Sequence, residues 1–252
     1  MEPIEVFSSK AEKYARFRWD YTSQAIQTIF DVTQISRQSS VADIGAGTGI
    51  LTKHFIGKVK QVFAVEPNEA MRQMAKRTLG VQPSCQIIDG RAEATTLSDH
   101  SVDLITVAEA FNWFDPQPTR AEFMRILKPG GWLAKLHNYG TDKELGEALE
   151  KIYPKETDTL TMMIGKGTSM SFYYGSDDYL RQTFVFSVEE TWNEFIGALS
   201  SASYAPDEDS PLYPDFECAA RSIFDRFGSG GLLTLHAATE LCLGQIKEPE
   251  VS

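Results

Sequence analysis

The chain has 252 residues, 42% hydrophobic and 23% charged, a composition that suits a globular protein with a sizeable core. Its 24 Lys and Arg against 35 Asp and Glu give a formal net charge of −11, which opposes any partner held chiefly through phosphates, nucleic acids and anionic membranes included. No apolar run approaches the roughly 18 residues of a membrane span, and Cys85, Cys218 and Cys242 lack the paired spacing of a disulfide framework or zinc site and read as reduced core thiols.

The opening MEPIEVFSSK has no basic segment followed by an apolar stretch, so the expected location is cytoplasmic. SSKAEKYARFRWDYTSQAIQTIFDVT then reads as two helices, the second with Ala25, Ile26, Ile29 and Phe30 on one face. From Ser40 to about Asn138, short apolar runs (SVADIG, QVFAVE, CQIID, DLITVAE, WLAKLHN) alternate with amphipathic stretches, the pattern of a parallel sheet covered by helices on both faces. The helical stretches NEAMRQMAKRTLG and QPTRAEFMRILKPGG each stop at glycine. Beyond residue 138, DKELGEALEKIY, NEFIGALSSASYA and DFECAARSIFDRFG read as helices, and TFVFSVEETW and LLTLHAATELCLGQI as strands. TSMSFYYGSDDY has no clear pattern, APDEDSPLYP is the best loop, and KEPEVS is expected to fray. No linker divides the halves, so one α/β domain over residues 1–252 is expected: a core in 1–138, and a variable lid or substrate region with closing strands in 139–246.

The central motif is VADIGAGTGILT, a buried strand ending at Asp43 and Ile44 from which Gly45, Gly47 and Gly49 turn the chain toward a helix. Glycine there permits positive φ and close backbone approach to a ligand. Such a turn is weak evidence alone, since a structural turn with no ligand explains it too. The next strand, QVFAVEP, ends in Glu66, where a carboxylate accepts hydrogen bonds from ribose hydroxyls. Pro67 and Met71 follow, with Met71 read either as a cover for an adenine ring or as a core residue.

Four segments carry a resemblance: YARFR (Tyr14 to Arg18), VADIGAGTG, VFAVEP, and the run from GRAE through DLITVAEAFNWFD to LKPGGWLA. Together they resemble the class I S-adenosylmethionine-dependent methyltransferases, in particular the small-molecule type that includes trans-aconitate methyltransferase. The resemblance implies a Rossmann-like seven-stranded sheet, mostly parallel with one antiparallel closing strand. It implies S-adenosyl-L-methionine as cofactor and S-adenosyl-L-homocysteine as product. Asp43, Gly45, Ala46 and Gly47 are then expected to bind the cofactor, the last three at its methionine part, with Glu66 at the ribose and Ala92 at the adenine. Arg91 stands where relatives often carry an acid, so it is expected to stack on the ring or lie along the surface, with Glu93 a substitute acceptor or a partner for Arg91. Ala108, Glu109 and Ala110 are expected near the sulfonium and carboxylate, Arg18 or Arg16 as partner of that carboxylate, and Tyr14 over the site or in the core.

The acceptor expected from the resemblance and the acidic charge is a small organic molecule methylated on oxygen, with no metal and with the protein a monomer or homodimer. Relatives often read A-F-H-W-F where this chain has AFNWF, so Asn112 and Trp113 become acceptor-binding candidates without the histidine. His137, at the tip of the fifth sheet strand, is the best base candidate; His54, His100 and His236 rank below it. Tyr174, with Phe172, Tyr173, Tyr204 and Tyr213, is expected in an acceptor pocket or lid. Two other readings stay open: a nicotinamide-dependent oxidoreductase, which shares the strand, glycine loop and acid, and a non-catalytic binder of S-adenosylmethionine. The third glycine comes one position early for the dinucleotide fingerprint.

Overall fold

Runs of apolar residues that alternate between two covered faces make the central strands, and the computed structural model, which describes residues 8–153 and 167–247, shows where each face packs. The parallel strands are β1 (Ser40–Ile44), β2 (Gln61–Val65), β3 (Cys85–Ile88), β4 (Val102–Ala108) and β5 (Leu127–Gly140). At one edge β7 (Leu232–Gln245) runs antiparallel between β5 and β6 (Leu180–Thr191). The order across the seven strands is β3-β2-β1-β4-β5-β7-β6, the expected mostly parallel sheet with one antiparallel member.

Period-two alternation sends Val41, Leu104 and Leu136 to one core with Ala25, Ile26 and Ile29 of α2 (Ser23–Thr33), whose first turn is capped by the Thr22 hydroxyl. Ala42, Ile105 and Leu133 face the other core with Phe123 and Ile126 of α4 (Pro116–Ile126). Burying a side chain such as Phe123 completely contributes about 1.5–3 kcal/mol, so these paired faces fix the register of the sheet. The helix α3 (Glu69–Leu79) starts at Asn68, whose side chain accepts from the Met71 amide.

Four local expectations are corrected. The glycine loop leads into a single 3-10 turn at Thr52–His54, because Gly57 at φ 76° ends the segment before a full helix can form. Helix α4 stops at Ile126, and Leu127 to Gly131 join β5 through an irregular register opposite Val102 and Leu104. The aromatic stretch contains a short helix, Met170–Tyr174, started by the Ser169 hydroxyl. Cys218 is exposed, while Cys85 is half-buried and Cys242 buried. Most of the C-terminal tail expected to fray lies in 248–252, outside the described residues.

The β6–β7 pair overhangs the sheet. It runs from Leu180↔Leu243 to Thr191↔Leu232, whereas β5 meets β7 only from Ala237 onward. On the overhang Leu233 and Leu235 pack with Leu145, Phe195, Ile223 and Phe224, which come from α5 (Lys143–Glu150), α7 (Trp192–Ser200) and α8 (Tyr213–Phe227), with Met170–Tyr174 counted as α6. These helices form a cap above the strand tips. Helix α1 (Ala11–Phe17) is tied to it: Phe17 lies so close to Gly197 that an added Cβ would fall 2.5 Å from the ring. The buried Lys10 donates to the Ala205 and Pro206 carbonyls and pairs with Asp207 at 2.7 Å.

Candidate active site

The floor of the site is the junction of the β1 and β2 tips. Gly45 takes φ 70°, and a Cβ there would lie 2.6 Å from the Ala110 methyl, so close approach and a left-handed backbone both demand glycine. The Gly45 and Ala46 amides both donate to the Val65 carbonyl, at 2.9 and 3.1 Å, which stitches the loop to β2. The Gly47 amide donates to Glu66 Oε2 and the Asn68 amide to Oε1, each at 2.9 Å. Burial raises the proton affinity of Glu66 while these two donors lower it. Each carboxylate oxygen keeps a further lone pair for a ligand donor. Asp43 sits beneath the loop, 1% exposed, accepting from Thr52 and Thr106; burial pushes its pKa up to about 6 against those two hydrogen bonds.

The second wall is the tip of β4. Glu109 has φ 59°, a left-handed conformation that costs a non-glycine residue on the order of 1–3 kcal/mol. Its carboxylate accepts from the Asn138 amide at 2.6 Å and from His137 Nδ1 at 2.8 Å, so consecutive residues of the neighbouring strand β5 hold it in place. The hydrogen bond to Glu109 raises the proton affinity of His137 above the ordinary imidazole range, against its partial burial. The other histidines are engaged elsewhere: His54 with Asp20, His100 with the Leu127 carbonyl and His236 with Ser187.

Between these walls lies a cleft of about 660 Å³. The structure brings to it Gly45, Gly47, Glu66, Pro67, Met71, Arg91, Ala92, Glu93, Ala108, Glu109, Ala110, Asn112, Trp113 and His137. Helix α1 adds Tyr14 and Arg18, the guanidinium lying 5.0 Å from the Tyr14 ring; burial lifts the Tyr14 pKa to about 12. Arg16 lies over the Phe17 ring instead and is not among the residues that line the cleft. Glu93 is held by the Asp115 amide at 2.9 Å, so a backbone donor takes the place expected for Arg91.

Three predicted residues are placed elsewhere. Tyr174 is fully buried behind the sheet, its hydroxyl donating to the Leu133 carbonyl and its ring stacked on Tyr179, because the aromatic run folds into the core as α6. Neither Asp43 nor Ala46 lines the cleft: Asp43 is buried beneath the loop against two threonines, and Ala46, within the loop, spends its amide on Val65. Asn68, Asp115 and Ser203 line the cleft unforeseen. Asn68 carried a helix-cap signal in the sequence; Ser203 arrives only through the fold of the cap. A second cavity, of about 320 Å³, adjoins the cleft, and Tyr14, Arg18, Glu109 and Tyr204 border both.

Comparison with known proteins matches a family described as a methyltransferase domain to residues 42–134, the span that holds the glycine loop, Glu66 and the β4 tip. A ubiquinone/menaquinone biosynthesis C-methyltransferase, UbiE, of Psychromonas ingrahamii is 31% identical over 173 residues, 64% of this chain and 67% of the relative. The chain belongs to the methyltransferase family. An uncharacterized methyltransferase of Mycobacterium tuberculosis is 32% identical over 161 residues, 62% of this chain and 63% of its own length, so the chain spans less than two thirds of that relative. Among solved structures, a candidate type II methyltransferase of Anaeromyxobacter dehalogenans shares the fold at a TM-score of 0.62 and 19% identity, over 91% of this chain and 98% of that one. The methyltransferase family uses S-adenosylmethionine as methyl donor. Among the described residues no helix is long and apolar enough to cross a membrane, and no group of three or more His, Cys, Asp or Glu is arranged to hold a metal.

Proposed function

We propose that this protein transfers the methyl group of S-adenosylmethionine to an oxygen of a small organic molecule. The observation that carries the reading is the pairing of two cavities across one wall: a cleft floored by the glycine loop and Glu66, and a smaller chamber reached past Tyr14, Arg18, Glu109 and Tyr204. The cleft volume lies within the range of small-molecule and cofactor sites. Its residues fit the donor. A cradle of Glu66 with spare lone pairs suits the vicinal ribose hydroxyls, and a Cβ on Gly47 would meet nothing within 4 Å, so that stretch of loop is open to a ligand. Ala92 and Met71 flank the adenine side, and Arg18 supplies a positive charge for the methionine carboxylate.

The donor supplies an activated carbon: the acceptor's lone pair forms the new bond as the carbon–sulfur bond breaks and its electron pair passes to sulfur. The protein's own part is chiefly positioning, which lowers such barriers by roughly 7–11 kcal/mol. A hydroxyl acceptor must also lose a proton, and His137 is supported as its base because Glu109 fixes Nδ1 as the protonated nitrogen, which leaves Nε2 to receive it. An acidic C–H would use the same base, so a carbon acceptor of the kind named for the UbiE relative is the second reading.

Calorimetric titration with S-adenosylhomocysteine and with NADH tests the donor. Binding of the former and none of the latter is expected; the reverse overturns the reading in favour of an oxidoreductase. Transfer of labelled methyl to a panel of phenols, amines and acids, with the product resolved by NMR, tests the rest. Binding without transfer to any member favours a non-catalytic sensor.

A further inference from the structure

We propose that the acceptor is an apolar-bodied molecule whose far end carries an N–H or O–H donor held by Glu190, and that carboxylate-bearing acceptors are rejected. The inference rests on the methyl-transfer reading and concerns the smaller cavity.

Glu190 lies on the last turn of strand before the cap, opposite Leu233 on the overhang, and this places it above the sheet edge in the cavity wall. It is 4% exposed. Oε1 accepts from the Trp19 indole N–H at 2.7 Å, while Oε2 has no hydrogen-bond partner among the described residues. Native proteins seldom leave a buried carboxylate oxygen unsatisfied, because its desolvation is not repaid. Burial also raises the proton affinity of Glu190, the mark of a charge with too few donors around it. A ligand donor would complete the set.

The remainder of the chamber selects the body of the ligand. Phe17, Phe195, Leu199 and Leu235 give it apolar walls, which match a ring or branched chain. Its charge opposes an anion: among the described lining residues Arg18 faces three carboxylates, Glu109, Glu150 and Glu190. Arg18 stands at the wall shared with the donor cleft, where the donor's own carboxylate competes for it. An acceptor carboxylate at the far end would meet Glu190 as a desolvated like charge. A tricarboxylate such as trans-aconitate therefore does not match this chamber. The shared wall receives the reacting atom, and Glu190 reads the opposite end.

The test uses the full chain saturated with S-adenosylhomocysteine and titrated calorimetrically with 2-phenylethylamine, 2-phenylethanol and 3-phenylpropionate, which share a ring and differ at the end group. The amine and the alcohol are expected to bind, the amine more tightly, and the carboxylate at least about tenfold more weakly than either, the scale of one charge-assisted hydrogen bond. Glu190→Gln keeps an acceptor for Trp19 and is expected to leave S-adenosylhomocysteine affinity unchanged while reducing the preference for the amine about tenfold or more. Equal or tighter binding of the carboxylate, an unchanged order of preference in Glu190→Gln, or binding of none of the three overturns this proposal alone. Failure of the wild-type chain to bind S-adenosylhomocysteine overturns the methyl-transfer reading and this proposal with it.

Discussion

At the glycine-loop end of the cleft, the proposed donor end, the backbone does most of the holding: amides of Gly45 and Ala46 grip Val65, and amides of Gly47 and Asn68 orient Glu66. At the smaller cavity, the proposed acceptor end, side chains from four distant parts of the chain make the wall, with Trp19 from the N-terminal segment, Tyr139 from β5, Glu190 from β6 and Tyr204 from the cap loop. The first arrangement needs only local sequence and two adjacent strands. The second exists only after the overhanging β6–β7 pair, the cap helices and α1 have docked. On the proposed function, one fold would keep a fixed grip on a common donor while the cap alone is altered to suit different acceptors.

The comparison breaks if the two ends fail to separate under mutation. Glu66→Ala removes both lone-pair sets offered to the ribose, and each charge-assisted hydrogen bond is worth about 1.5–3 kcal/mol. S-adenosylhomocysteine affinity is therefore expected to fall roughly 100-fold by calorimetry. Weak binding of 2-phenylethylamine should persist, since no lining residue of the smaller cavity is touched. An unchanged donor affinity would remove the foundation of the functional reading.

Within the donor end, the two loop glycines should part company. Gly45→Val meets both a left-handed backbone and the Ala110 methyl at 2.6 Å, and thermal denaturation should register a loss of about 3 kcal/mol. Gly47→Ala, at φ 55° but with open space around the new methyl, should cost only about 1–2 kcal/mol in stability while lowering donor affinity. Equal stability losses would mean that the loop is less tightly bound to β4 than its contacts indicate.

The smallest effect is expected where the two ends meet. Glu109→Gln removes the charge that raises the proton affinity of His137, so the rising limb of the pH–rate profile should move to lower pH. Stability carries the same signature. The folded-state pKa of His137 is raised, so the pair's contribution is fully present below about pH 6.5 and lost as pH rises through the elevated value. The wild-type advantage in melting temperature should be greatest in mild acid and fade in alkali. It should stay under about 1 kcal/mol, because His137 is 43% exposed and solvent screens the pair. A rate profile that does not move would remove His137 from the proton path.

Much of the donor end was legible in sequence because its signals are local. A glycine spacing, an acid at the next strand tip and period-two apolar runs each report on a few consecutive residues. Tyr174 shows where such reasoning stops: its aromatic run reads as pocket or lid slightly ahead of core, and only the docking of α6 behind β5 and β7 sends it inside. The absent helix after Gly49 is a failure of reach, since the positive φ of Gly57 decides it eight residues later. In TFVFSVEETW the alternation puts Glu190 on the face of Phe184, Phe186 and Val188, so its burial was legible there, whereas its unpartnered oxygen was not.

The amino-acid sequence alone determined the parallel core, its two buried faces and the glycine loop beside Glu66, because alternation and glycine geometry act between near neighbours. Only the tertiary structure decided the smaller cavity, the pairing of Glu109 with His137 and the unpartnered oxygen of Glu190. Those depend on which distant segments come to share one volume, the overhanging part of the β6–β7 pair among them.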